Sequence, residues 1–112
     1  LPESFAASVF SKRLKLARAR AGVSQRELGA LIGLGKTVGS TRINRYEQQK
    51  SLCDMETASQ IAEQLDVPLA YLFAESELLA DMILAFSALT QPEQKKLLVE
   101  IEKRATDKAV KK

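Results

Sequence analysis

Apolar residues recur along this chain at spacings of three and four, the period of a helix face, and no run alternates in the manner of a strand. The clearest stretch is Ser24 to Glu47, SQRELGALIGLGKTVGSTRINRYE. Ser24 stands before an apolar-periodic run with Glu27 three residues on. The hydroxyl can accept the Glu27 amide while the carboxylate accepts from the Ser24 amide, which fixes a helix start. Leu28, Leu31 and Ile32 give that helix its apolar face, and Gly33 and Gly35 end it, because glycine enters the left-handed region at no steric cost. A second helix is predicted to restart near Ser40 or Thr41 and to run to about Gln48. Ile43, Tyr46 and the Glu47 stem share one side of it. Thr41, Asn44, Arg45 and Gln48 share the opposite side and offer hydrogen-bonding groups to solvent.

The flanking segments repeat the same logic. A first helix is predicted from near Ser8 to Ala21, with Phe10, Leu14, Ala17 and Ala21 inside and Lys12, Arg13, Lys15 and Arg20 outside, stopped by Gly22. A fourth opens at Asp54, the expected N-cap, with Glu56 near the positive end of the dipole and Met55, Ala58, Ile61, Ala62 and Leu65 as its buried stripe. Asp66-Val67-Pro68 is a junction, and Leu69 to Phe73 form a short fifth helix whose Leu72 and Phe73 close the core. Ser76 to Leu89 reads as a further helix with Leu79, Met82, Phe86 and Leu89 at a/d-like spacing, widened by Leu78 and Ile83. Thr90 and Glu93 around Pro92 open a last helix with Leu97, Leu98, Ile101 and Ala105 inside, ahead of a basic end, Lys108 to Lys112, expected to fray. The chain therefore reads as all-α, with a unit over residues 1–74 and a two-helix extension over residues 75–112. A two-helix hairpin cannot bury both stripes alone. It packs on the first five helices or on a second copy of itself, and the second reading makes Leu79, Met82, Phe86, Leu98 and Ile101 a homodimer interface.

Composition narrows the class. The 112 residues are 46% hydrophobic and 28% charged, ordinary for a globular domain. No apolar run approaches the roughly 20 residues that span a membrane, and the start of the chain lacks a basic end leading into an apolar core, so a cytoplasmic protein is expected. One cysteine, Cys53, and no histidine leave neither an internal disulfide nor a Cys/His zinc set, and no cofactor or metal is expected. Cys53 reads as an inert, partly buried thiol. With no histidine and no placed carboxylate pair, no nucleophile has its base, and an enzyme is not indicated. The segment Gly33 to Thr37, GLGKT, echoes a phosphate-binding loop, but the required first glycine falls at Ala30 and the segment follows a helix instead of a strand. Charge says more than its total of +3. Residues 1–50 hold ten Lys/Arg against three acids, a net +7, whereas residues 51–89 hold seven acids and no base, a net −7. That segregation focuses positive potential on one side of the fold, as a phosphate-facing surface needs.

The pattern Phe10, Leu14, Ala17, Gly22, Ser24-Gln25, Leu28, Ile32-Gly33, Ile43, Arg45-Tyr46-Glu47, Ile61-Ala62, Leu65, Val67 and Leu72 resembles the helix-turn-helix of the lambda-repressor and Cro type. These are the xenobiotic-response-element regulators of bacteria and phages. The resemblance runs from Phe10 to about Phe73 and departs in the turn, where about four extra residues lie around Leu34 to Thr37. It implies a five-helix DNA-binding domain, with double-stranded DNA as partner, whose third helix enters the major groove. It also implies a protein associated with the nucleoid. By the same resemblance Ser40, Thr41, Asn44 and Arg45 face bases, Gln25, Lys36, Arg42 and Lys50 face phosphates, and Arg18 pairs with Glu47 at the end of the third helix. The implied function is sequence-specific regulation of transcription, most simply repression by a homodimer. An alternative from another class is a protein-interaction or antitoxin-like module with weak DNA binding.

Overall fold

The computed structural model describes residues 5–110. Six α-helices and one 3-10 helix follow one another: α1 (Phe5–Ala21), α2 (Gln25–Leu31), α3 (Lys36–Glu47), α4 (Met55–Gln64), the 3-10 helix (Leu69–Phe73), α5 (Glu77–Ser87) and α6 (Gln91–Val110). Leu14, Leu28, Ile43, Ile61 and Leu72, one from each of the first five elements, are completely enclosed. Each such side chain is worth about 1.5 to 3 kcal/mol relative to exposure, so elements too short to persist alone hold one another in place.

Local chemistry sets the helix ends. Ser24 Oγ accepts the Glu27 amide at 3.0 Å and Glu27 Oε1 accepts the Ser24 amide at 3.2 Å, closing the capping box. Asp54 Oδ1 accepts the Thr57 amide at 2.6 Å, and Ser76 and Thr90 open α5 and α6 in the same way. Helices α1 to α4 all end in a left-handed residue followed by a bond from the next amide back into the last turn. Gly22 and Gly33 take that place after α1 and α2. Gln49 (φ 60°) and Asp66 (φ 54°) take it after α3 and α4.

Where α2 crosses α3 the two backbones touch. A Cβ on Gly29 would lie 2.4 Å from the Gly39 Cα, and one on Gly39 would lie 2.4 Å from the Gly29 Cα. Only hydrogen fits at this crossing, and the angle between the two helices depends on it.

Several expectations are corrected. Helix α3 opens at Lys36, with Gly35 as its N-cap, and not at Ser40 or Thr41; of the residues read as an enlarged turn, Lys36 and Thr37 belong to its first helical turn. Helix α1 likewise begins earlier, at Phe5. Arg13, expected outside, is only 2% exposed. Its Nε donates to the Ala74 carbonyl at 2.9 Å, its Nη1 to Glu77 Oε1 at 3.2 Å, and its guanidinium carbon lies 6.0 Å from the centre of the Tyr71 ring. The charge is tolerated inside because its donors are answered. Met55 is 85% exposed instead of buried, since it is the first residue of α4, and Ala21, Leu31 and Phe73 are also exposed. Ala105 faces solvent as well. Lys108 continues α6, while Lys111 and Lys112 lie outside the described residues.

The core runs past residue 74. Ala80 of α5 belongs to the same buried cluster, with Ile83 and Leu84 packed against it. Glu77 bridges Lys12 Nζ (2.9 Å) and Arg13 Nη1 (3.2 Å), and the lysine bond holds its carboxyl below the usual carboxylate range. Helix α6 differs. Gln94 and Leu97 are half-buried, and every other side chain described on it is exposed. Gln94 Nε2 donates to the Phe86 carbonyl at 2.8 Å, tying the start of α6 to the end of α5.

Candidate nucleic-acid interface

Helix α3 divides cleanly into a gripping side and a free side. Gly39, Ile43, Tyr46 and Glu47 are buried, whereas Thr37, Val38, Thr41, Arg42, Asn44 and Arg45 are exposed. At roughly 100° per residue the free side centres on Thr41 and Arg45.

Its last residue anchors the helix. Glu47 is 3% exposed, and its carboxylate accepts Arg18 Nε at 2.7 Å, Arg18 Nη2 at 2.9 Å and Gln25 Nε2 at 3.1 Å. The carboxylate partner raises the Arg18 pKa further above its ordinary value, against the lowering effect of burial. Arg18 Nη1 also donates to the Val23 carbonyl at 3.0 Å, and Ser11 Oγ donates to the Glu47 carbonyl. Glu47 therefore joins the end of α3 to α1 through both its side chain and its backbone. No buried side-chain nitrogen or oxygen among the described residues lacks a partner. Because Glu47 is the only acid in α3 and is neutralised inside, no carboxylate of α3 itself opposes Lys36, Arg42 and Arg45 on its exposed side.

The expected base-facing residues are not equivalent. Thr41, Asn44 and Arg45 are exposed, but Ser40 is half-buried beside the glycine crossing. Thr41 Oγ1 donates to the Thr37 carbonyl at 3.2 Å, and Arg45 Nη2 donates to the Lys50 carbonyl at 3.3 Å. That second bond brings Arg45 and Lys50 together at the C-terminal end of the free side. Asn44 sits at the edge toward α2, where its Oδ1 accepts Gln25 Nε2 at 3.3 Å. Gln25 is thus turned inward onto α3, while Lys36 stands exposed in the first turn. Arg42 flanks the other edge, near enough to Asp54 to add to the lowering of its pKa, which the bond to Thr57 dominates. Cys53 lies behind this edge. Burial pushes its thiol up to about 12, which leaves it unreactive at neutral pH.

Two exposed residues of this face, Thr37 and Val38, were missed by reading the sequence because both fell in the presumed turn. The available signal was spacing: Thr37 precedes Thr41 by four, and Val38 precedes Arg45 by seven.

Residues 14–72 match the family described as Helix-turn-helix. Among curated proteins, no sequence matches the chain. Among solved structures, the chain is similar to the crystal structure of transcriptional regulator BswR, at 43% identity and a TM-score of 0.77, over 83% of this chain and 92% of that one. With its capped α2, its α3 anchored at Glu47 and its five-element core, the chain belongs to the helix-turn-helix family, in the lambda-repressor and Cro-like form.

Proposed function

We propose that this chain is a sequence-specific DNA-binding transcriptional regulator, most simply a repressor, which lays α3 in the major groove of an operator. The carrying observation is the two-sidedness of α3: one side is locked to α1 and α2, and the other presents Thr41, Asn44 and Arg45 with no competing acid from the helix itself. All four base pairs differ in the major groove, and the Arg45 fork suits the O6 and N7 of one guanine. Asn44 suits adenine, and Ser40, less accessible, is the weakest member of the reading set. Lys36, Arg42 and Lys50 flank this set where phosphates would run, and Gln25 contributes at the start of α2.

The regulator works as a homodimer joined through the extension. Leu79, Met82, Leu98 and Ile101 are exposed and Phe86 is half-buried, a stripe that a second copy would cover. Two-fold symmetry then places two α3 helices on half-sites about one helical turn apart. Gel-shift titration of the full chain over several salt concentrations tests the proposal. The expected result is a steep salt dependence together with preference for one sequence selected from random duplexes. Absence of retardation at low salt would instead support a protein-interaction module.

A further inference from the structure

Val38 takes no part in the buried core of the free chain. It is 61% exposed on a helix face that is otherwise polar or cationic, and a β-branched residue there lowers helix propensity without gaining packing. It does, however, begin a stripe: Val38, Thr41, Arg42 and Arg45 stand at i, i+3, i+4 and i+7, on one side of α3. Val38, Thr41, Arg45 and Leu52 also line one open groove beside α3. The Thr41 hydroxyl is turned back onto the Thr37 carbonyl, which leaves its γ-methyl as the outward group. An isopropyl and a methyl group therefore sit one turn apart in the middle of the free face, flanked by guanidinium groups.

We infer that Val38 and the Thr41 methyl form an apolar reader of a thymine C5-methyl group, a specificity element that complements Arg45. The inference rests on the DNA-reading role proposed for α3. The methyl group is the one apolar feature a base pair shows in the major groove, so an apolar patch on a groove-facing helix has that partner and no other among the bases. Seven residues of helix separate Val38 from Arg45, about 10 Å along the axis. The thymine is therefore a different base from the guanine read by Arg45.

The test uses the full chain and a duplex that it selects from a random-sequence pool, with each thymine in turn replaced by deoxyuridine, which removes the methyl group alone. Competition binding by the parent chain should weaken about fourfold at one thymine, the equivalent of one buried methyl group. For Val38→Ala, whose exposed site leaves the fold intact, the preference for the thymine over the uracil duplex should fall from about fourfold to below about twofold. A thymine preference that survives undiminished in Val38→Ala, or no thymine whose methyl group matters, overturns the inference while leaving the DNA-reading role of α3 standing. Failure of the parent chain to retain any duplex at low salt overturns that role, and this inference with it.

Discussion

Helices α3 and α6 are both amphipathic, yet they sit in opposite situations. Helix α3 buries four of its twelve residues, closes a charged network at Glu47 and meets α2 at a bare backbone crossing. Helix α6 is longer, at 20 residues, yet none of its described side chains is buried. The difference shows where the chain is energetically complete. Residues from α1 to the first half of α5 form a closed core with its polar groups answered, whereas α6 carries Leu98, Val99 and Ile101 exposed.

Arg18→Ala attacks the complete side most directly. It would strand the buried Glu47 carboxylate, and the expected loss is about 3 to 5 kcal/mol in denaturant unfolding. A loss below about 1 kcal/mol would show that α3 is held by its apolar contacts alone. Gly39→Ala comes next, at about 1 to 3 kcal/mol, because the new methyl group meets the Gly29 backbone and must push α2 away. Duplex binding should fall with it, and unchanged thermal unfolding would mean that the crossing opens freely. Arg45→Ala should leave unfolding untouched and cost about 1 to 3 kcal/mol of discrimination at a single base pair, measured by competition among single-substitution duplexes. An evenly spread loss would make Arg45 a phosphate contact instead.

The uncovered helix should respond in the reverse sense. A chain ending at Leu89 retains Glu77 and Ala80, so its unfolding free energy as a monomer should change by less than about 1 kcal/mol. Its sedimentation should fall from dimer to monomer. A full chain that is itself monomeric would remove the contrast with α3. The smallest effect is expected at Gln49, which holds a left-handed conformation after α3 with a Cβ. Gln49→Gly should stabilise the complete region by about 0.5 to 1 kcal/mol, seen as a raised melting temperature.

Much of this arrangement is legible in the residues. Ser24 with Glu27, Asp54 and Thr90 with Glu93 announce helix starts through local chemistry, and each bond forms in the structure. The contact between Arg18 and Glu47 spans 29 positions, so no local rule reaches it; only the family resemblance suggests it. Arg13 was readable by position, three after Phe10 and four before Ala17, but its charge argued for solvent, and the groups that answer it lie more than 60 positions away. The role of Gly39 is hidden from a linear reading for a similar reason. In a linear reading glycine weakens a helix, whereas in three dimensions it is what lets α3 approach α2. Because that approach is invisible locally, the linear pattern does not show that α3 already begins at Lys36 and includes Thr37 and Val38.

The division of α3 into two sides also bears on how such a protein changes over time. Thr37, Val38, Thr41 and Arg45 are exposed and hold up nothing in the core, so substitutions there are nearly free of folding cost. On the proposed role of α3, new target preferences are therefore accessible one residue at a time, on an unaltered chassis, and the same four positions are where an engineer would begin to redirect the protein.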